Sequence, residues 1–355
     1  MSDHEHPALA RLRDRVREAT ARRTPLRIRA GGTKDFYGNP TTGELLDPRE
    51  YSGIVDYAPT ELVVTVRSGT PLAQLEAELA EKNQMLPFEP PHFGDGATVG
   101  GAVAAGLAGP RRVAAGSLRD LVLGASVING NGEVLAFGGR VMKNVAGYDM
   151  ARTLAGSLGT LGVLVDLSLK VLPKPVAERT LRFDLDEATA IRQLNEWGGQ
   201  PLPITASAWL DGVLHVRLSG ARAAVDAAQT RLGGSVVDDA DRWWADLREQ
   251  RLPFFGGDGT LWRLAVPPTT PPLRLPHTLL EWHGGQRWVR GEHVAEAMHP
   301  LCTALGGHAT RFRGVDARVP AFQPLEPVLA RLNARLKAEF DPAGIFNPGR
   351  LNTVN

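Results

Sequence analysis

Three stretches of this 355-residue sequence are dense in glycine: Arg29 to Lys34, Gly94 to Gly109 and Gly156 to Gly162. Glycine clusters cost conformational entropy, so several of them in one region need a reason. Successive backbone N–H groups without side-chain bulk form concave anion sites that suit a pyrophosphate. In the first stretch Gly31-Gly32 is followed by the Thr33 hydroxyl as a further donor and Lys34 as a charge. Taken singly, each stretch also reads as a plain tight turn.

The third stretch has the spacing GxxGxxG at Gly156, Gly159 and Gly162. A Rossmann dinucleotide site needs a strand before its glycines and a helix after them. Here the glycines come before the strand-like run Val163 to Val171, so the NAD reading is weak. That run alternates, with Val165, Leu167, Leu169 and Val171 on one side and Asp166, Ser168 and Lys170 on the other.

The elements that must position these loops read as α+β. Ala8 to Arg23 carries Leu9, Leu12, Val16 and Ala19 at helical spacing. Leu26 to Ala30 and Leu62 to Val66 are short strands. Thr70-Pro71 starts a helix with Leu72, Leu75 and Leu79 on one face. Leu121 to Ile128 and Glu133 to Phe137 flank Asn129-Gly130-Asn131-Gly132, a hairpin turn. Pro173 and Pro175 mark the domain boundary. Beyond them, helix-like segments alternate with short strands such as Leu214 to Leu218 and Leu261 to Val266. Leu325 to Phe340 reads as an amphipathic helix with Leu329, Leu332 and Leu336 as its core stripe, ended by Asp341-Pro342.

Composition narrows the classes. Hydrophobic residues are 43% and charged residues 22%, ordinary for a globular protein, and 355 residues suggest about two domains. A formal charge of +1 gives no field that would favour nucleic acid or an anionic membrane. Cys302 is the only cysteine, so this chain alone holds neither a disulfide framework nor an iron–sulfur cluster. The polar start and the lack of a long apolar run predict a cytoplasmic chain without a membrane span.

The order of the motifs carries a resemblance. Arg29 to Lys34, Pro90-Pro91, Ala97-Thr98-Val99-Gly100-Gly101, Gly116-Ser117-Leu118-Arg119-Asp120 and Gly156 to Val163 resemble the FAD-binding domain of the vanillyl-alcohol-oxidase or PCMH-type flavoproteins. Gly344 to Arg350 is similar to the C-terminal signature of the branch that oxidises 2-hydroxy acids. Leu86 to His92, Gly106 to Arg112, Val141 to Asp149 and Leu252 to Phe255 resemble the FAD-binding E subunits of bacterial glycolate oxidases. The likeness runs in order from about Pro25 to Leu351.

The resemblance implies an FAD-binding domain of two α/β subdomains over 1–174, a shortened α+β cap over 175–305, and a returning segment over 306–355. It implies that Gly31, Gly32, Thr33 and Lys34 wrap the FAD pyrophosphate. Pro91, Thr98, Val99, Gly100, Gly101 and Gly109 would pass close to the flavin and its phosphates. Ser117 and Asp120 would hydrogen-bond the cofactor or its loop, and Gly162 and Val163 would meet the adenosine half. Asn347 would bring the C-terminus onto the flavin domain. The first loop has no histidine, where covalently flavinylated relatives carry one, so non-covalent binding is expected. The implied partners are a catalytic flavin subunit and an iron–sulfur subunit of a glycolate oxidase complex, with a small 2-hydroxy acid as substrate. Any contact with the inner membrane would run through those partners.

Catalytic relatives carry histidine-rich motifs late in the chain, whereas the nine histidines here are scattered. Removing hydride from a 2-hydroxy acid needs a base for the hydroxyl proton and a cation for the carboxylate. His308 is the candidate base with Arg311 as the carboxylate clamp, against a reading of His308 as a hydrogen-bonded histidine near the domain joint. Lys143, Asn144 and Tyr148 either line the flavin or cap a helix. An accessory or electron-relaying subunit is therefore expected. Self-sufficient oxidation and a flavin-free scaffold are the alternatives.

Overall fold

The strand Val163–Lys170 is buried along nearly its whole length, so it must be central to a sheet. In the computed structural model, which describes residues 6–139, 150–314 and 319–351, it is the middle of five antiparallel strands. Their order is Ile54–Ala58, Val63–Arg67, Val163–Lys170, Val122–Ile128 and Val134–Gly138. The alternation expected along Val163 to Val171 breaks. Ala125 pairs with Leu167 but Val127 pairs with Leu164, so one extra residue bulges between them. Val163 and Val165 join one hydrophobic cluster, and Leu164, Leu167 and Leu169 join the other.

The first cluster is closed by the helix Pro7–Arg22, which buries Ala8, Leu12, Val16 and Ala19 as its spacing predicts. The hairpin forms at the expected turn. The Asn129 side-chain oxygen accepts from the amides of Asn131 and Glu133, at 3.0 and 2.9 Å. Thr70 does not cap the helix Leu72–Glu81. Its hydroxyl donates to Arg67 O and accepts from Gly53 N, which ties the preceding turn instead.

After the proline pair the chain builds an eight-stranded antiparallel sheet. Its order is Ser235–Val236, Ala177–Asp184, Val213–Gly220, Ile204–Leu210, Thr278–Glu281, Gln286–Gly291, Thr260–Ala265 and His308–Arg313. The strand His308–Arg313 therefore pairs within the second sheet, although a boundary at residue 306 would assign it to the returning segment. The return itself runs through the helix Pro327–Phe340 to Arg350. Leu26 N donates to Ile345 O at 2.7 Å, and Asn347 N donates to Leu26 O at 3.0 Å, which adds the C-terminal signature to the first strand.

The expected core stripe of the last helix is not buried. Leu329 and Leu332 are 50% and 54% exposed, and only Leu336 and Phe340 reach the core. The amphipathic pattern was real, but the helix stands off the body over its first turns.

The two halves are fastened by ions. Glu89 sits in the first half with its carboxylate bound by Arg217 Nη2 of the second sheet, at 2.8 and 3.0 Å, and by Arg111 Nε at 3.2 Å. Arg111 Nη2 also reaches Glu178 of the second sheet at 2.5 Å.

Candidate functional site

All three glycine stretches meet on one cleft of about 310 Å3. Gly31 to Lys34 form one wall, Thr98, Gly100 and Gly101 a second, and Gly159, Gly162 and Val163 a third. Asn347 closes it from the C-terminal end. The volume lies in the range of nucleotide and cofactor sites. Close approach makes glycine obligatory: a Cβ on Gly31 would lie 1.6 Å from Gly96 O, and one on Gly162 would lie 2.4 Å from Ile128 O.

The stretches differ in what they offer a ligand. Among the described residues, no acceptor takes the amides of Gly31, Gly32, Thr33 or Lys34. The second stretch is already engaged. Val99 N donates to Thr70 O, Gly100 N to Ser68 O and Gly101 N to the Thr98 hydroxyl. Its glycines serve close packing, since a Cβ on Gly100 would lie 2.6 Å from Ser68 Cβ. Val99 is itself a core residue. The amides without an acceptor therefore belong to the first loop, and the second stretch supplies a wall without side chains.

Cations complete the cleft. Lys34 lies on its wall with Nζ 3.2 Å from His92 O. Burial pulls its ammonium down to about 8, partly offset by the charge of Glu249. Arg27, Arg29 and Arg350 also line the cleft. The Arg29 guanidinium is paired with Asp35 at 2.5 Å. Arg350 donates to the carbonyls of Lys34, Asp35, Tyr37 and Asn39, at 3.3, 3.0, 2.7 and 2.9 Å. It braces the first loop from the far end of the chain. The sequence reading quoted Arg350 in its motif without giving it a role, because its acceptors are backbone carbonyls more than 300 positions away.

Asn347 is 4% exposed and works the same way. Its Nδ2 donates to Leu158 O at 2.7 Å and its Oδ1 accepts from Ile28 N at 2.8 Å. One amide thus joins the first strand, the third glycine stretch and the C-terminus.

Other expected site residues lie elsewhere. Ser117 and Asp120 form a capping box on the short helix Leu118–Leu121, with Ser117 Oγ 2.6 Å from Asp120 Oδ2. That hydrogen bond holds the Asp120 carboxyl below its ordinary range. Neither residue lines the cleft. Pro91 and Gly109 line a separate cavity of about 20 Å3, where the first half meets the second sheet. Phe93, Trp288 and Phe312 narrow that cavity, and Arg263, Glu281 and Gln250 supply its polar wall. Glu281 accepts from Trp288 Nε1 at 2.6 Å and Gln286 Nε2 at 2.8 Å, while burial pushes its carboxyl up to about 7.

His308 and Arg311 are not brought together. They lie three residues apart on a regularly paired strand, so their side chains leave opposite faces of the sheet. His308 is exposed, whereas Arg311 is buried with Nη2 2.5 Å from Val319 O. Lys143, Asn144 and Tyr148 lie outside the described residues. Among the described residues no three His, Cys, Asp or Glu side chains converge as metal ligands, and no helix is long and apolar enough to cross a membrane.

Comparison with known proteins bears on the fold and the family. Residues 9–138 match the FAD binding domain family. The chain is 15% identical to a solved alkyldihydroxyacetonephosphate synthase, with a TM-score of 0.65 over 96% of this chain and 75% of that one. That likeness speaks for the fold: an α+β, PCMH-type FAD-binding architecture. Glycolate oxidase subunit GlcD of Bacillus subtilis (strain 168) is 33% identical over 161 residues, covering 45% of this chain and 34% of that protein. A D-lactate dehydrogenase of Anaerostipes hadrus is 38% identical over 134 residues, 28% of its length. Glycolate oxidase subunit GlcE of Escherichia coli (strain K12) is 48% identical over 341 residues, 96% of each chain. With a match of that extent laid over a cleft built from the same glycine stretches, the chain belongs to the family of glycolate oxidase GlcE subunits.

Proposed function

We propose that this chain binds FAD non-covalently as one subunit of a complex that oxidises glycolate, a 2-hydroxy acid, to glyoxylate. The observation that carries it is the cleft lined by the acceptor-free amides of Gly31 to Lys34 together with the Lys34 ammonium and Arg27. Four amides and adjacent cations suit a doubly charged diphosphate. Bound FAD supplies hydride acceptance and single-electron release. The chain's own residues then have three tasks. Gly31 to Lys34 hold the diphosphate, Arg350 and Asn347 fix the loop that does so, and Gly162 and Val163 leave room for the adenosine half. Thr33 and Lys34 stand where a covalent link would need a histidine, which supports a dissociable cofactor.

The accessory, electron-relaying role is supported by the joint between the halves. A cavity of about 20 Å3 admits roughly one water. A 2-hydroxy acid would need that joint to open. Arg263 and Glu281 are the cation and base that self-sufficient turnover would draw on, since His308 and Arg311 point apart. Cys302 is a single buried thiol, so electrons leave through a partner of iron–sulfur type, beside a catalytic flavin subunit.

The purified chain is expected to be yellow, with flavin bands that denaturation releases into the supernatant. Colourless protein that takes up no FAD, alone or with its partners, defeats the cofactor reading and leaves a scaffold. Glycolate-dependent dye reduction by the isolated chain would replace the accessory role with catalysis of its own.

A further inference from the structure

The helix Pro327–Phe340 leaves the body at one end only. Phe340 is buried and Leu336 packs against the core of the first half. Every residue from Pro327 to Arg335 is exposed. A helix that short is marginal in water without tertiary contacts. Yet it presents Val328, Leu329 and Leu332 to solvent, at 59%, 50% and 54% exposure, with Leu325 exposed just ahead of the first turn. On the helix these three lie at i, i+1 and i+4, one apolar row on a single face, as in a helix seated in a groove.

Charge narrows the occupant. Between Pro327 and Ala338 the helix carries Arg331, Arg335 and Lys337 and no acid. Lys337 is held internally by Asp341 and two carbonyls, whereas Arg331 and Arg335 flank the apolar row on one edge. An antiparallel second copy would set that arginine edge against itself, and like charges so placed oppose association.

We propose that this helix docks the chain onto a sister subunit, with its leucine row in an apolar groove whose lip carries carboxylates facing Arg331 and Arg335. This rests on the reading of the chain as one subunit of a complex. None of the four apolar residues or the two arginines lines the FAD cleft, so docking and cofactor binding are separable.

The test uses the full FAD-loaded chain and the GlcD-type subunit of its own complex, with association measured by co-elution and titration. Leu329→Glu with Leu332→Glu is expected to weaken association on the order of a hundredfold. Arg331→Glu with Arg335→Glu is expected to weaken it about tenfold, and less at high salt. Flavin content and Tm of the isolated variants should match the parent, which separates lost docking from misfolding. Unchanged association in both variants overturns the proposal. Loss of a homodimer in its place assigns the face to a second copy and overturns it too. A parent chain that never associates with the sister subunit defeats the complex reading itself.

Discussion

Arg350 and Lys34 make different demands on the same loop. Arg350 donates to four carbonyls of residues 34–39, so in the proposed function it would serve FAD by shaping the loop and not by touching the diphosphate. Arg350→Ala is expected to weaken FAD binding about 10- to 100-fold, as loss of charged hydrogen bonds does. Lysine at this position keeps a charge but cannot fork across the carbonyls, so Arg350→Lys should recover only part of the loss. Titration of the cofactor-free chain with FAD checks both. Lys34 sets the pH dependence. Its ammonium is at about 8 in the folded chain against 10.5 ordinarily. Between those values the unfolded chain keeps a proton that the folded chain has released. Stability of the cofactor-free chain therefore rises as pH climbs from about 8 towards 10.5. FAD affinity has the opposite sign and falls as pH rises past about 8, because the cation facing the diphosphate is lost. Both slopes should flatten in Lys34→Met, measured by chemical denaturation and by flavin titration across that range.

At the scale of the element, a motif can be right in its residues and serve another purpose. Gly116-Ser117-Leu118-Arg119-Asp120 looks like a cofactor loop in sequence. In the fold the Asp120 carboxylate accepts from both the amide and the hydroxyl of Ser117, which closes the start of Leu118–Leu121 on itself. Ser117→Ala should cost about 1 kcal/mol of stability, the usual worth of an N-cap, while flavin content stays unchanged. A colourless Ser117→Ala protein would return Ser117 to the cofactor site. The second glycine stretch teaches the same lesson. Glycine marks close approach, but whether the partner is a phosphate or Ser68 is set by what lies opposite. The leucines at 329 and 332 show the converse case: periodicity identifies an amphipathic helix and is silent on which body its apolar side meets.

Across the whole molecule Glu89 is the most shared carboxylate of the joint between the halves, with Glu178 and Glu249 beside it. Burial alone would raise the Glu89 carboxyl, but the charges of Arg217 and Arg111 outweigh it and hold it below its ordinary range. Glu89→Ala takes from the nearly buried Arg217 its nearest carboxylate and leaves Arg111 with Glu178 alone, and loss of about 3 kcal/mol is expected, read from urea denaturation. With a folded value below the unfolded one, the Glu89 contribution is present at neutral pH. It disappears as pH falls through the folded value. The alanine variant should therefore lack part of the acid-induced destabilisation that the parent shows. A variant as stable as the parent would mean that Glu89 adds nothing to the joint beyond its other contacts.

Local chemistry alone determined a good deal here. The turn at Asn129 to Gly132, the Pro7–Arg22 stripe and the strand after Gly162 all follow from period and turn residues. These are interactions within a few residues, so the sequence states them directly. What the tertiary structure decided was convergence. It placed Gly31, Gly162 and Asn347 on one cleft, moved Pro91 and Gly109 to another cavity, gave Arg350 its carbonyls and turned His308 away from Arg311. Contacts across hundreds of residues depend on how sheets and helices stack, and no spacing along the chain encodes which amide will already have found an acceptor.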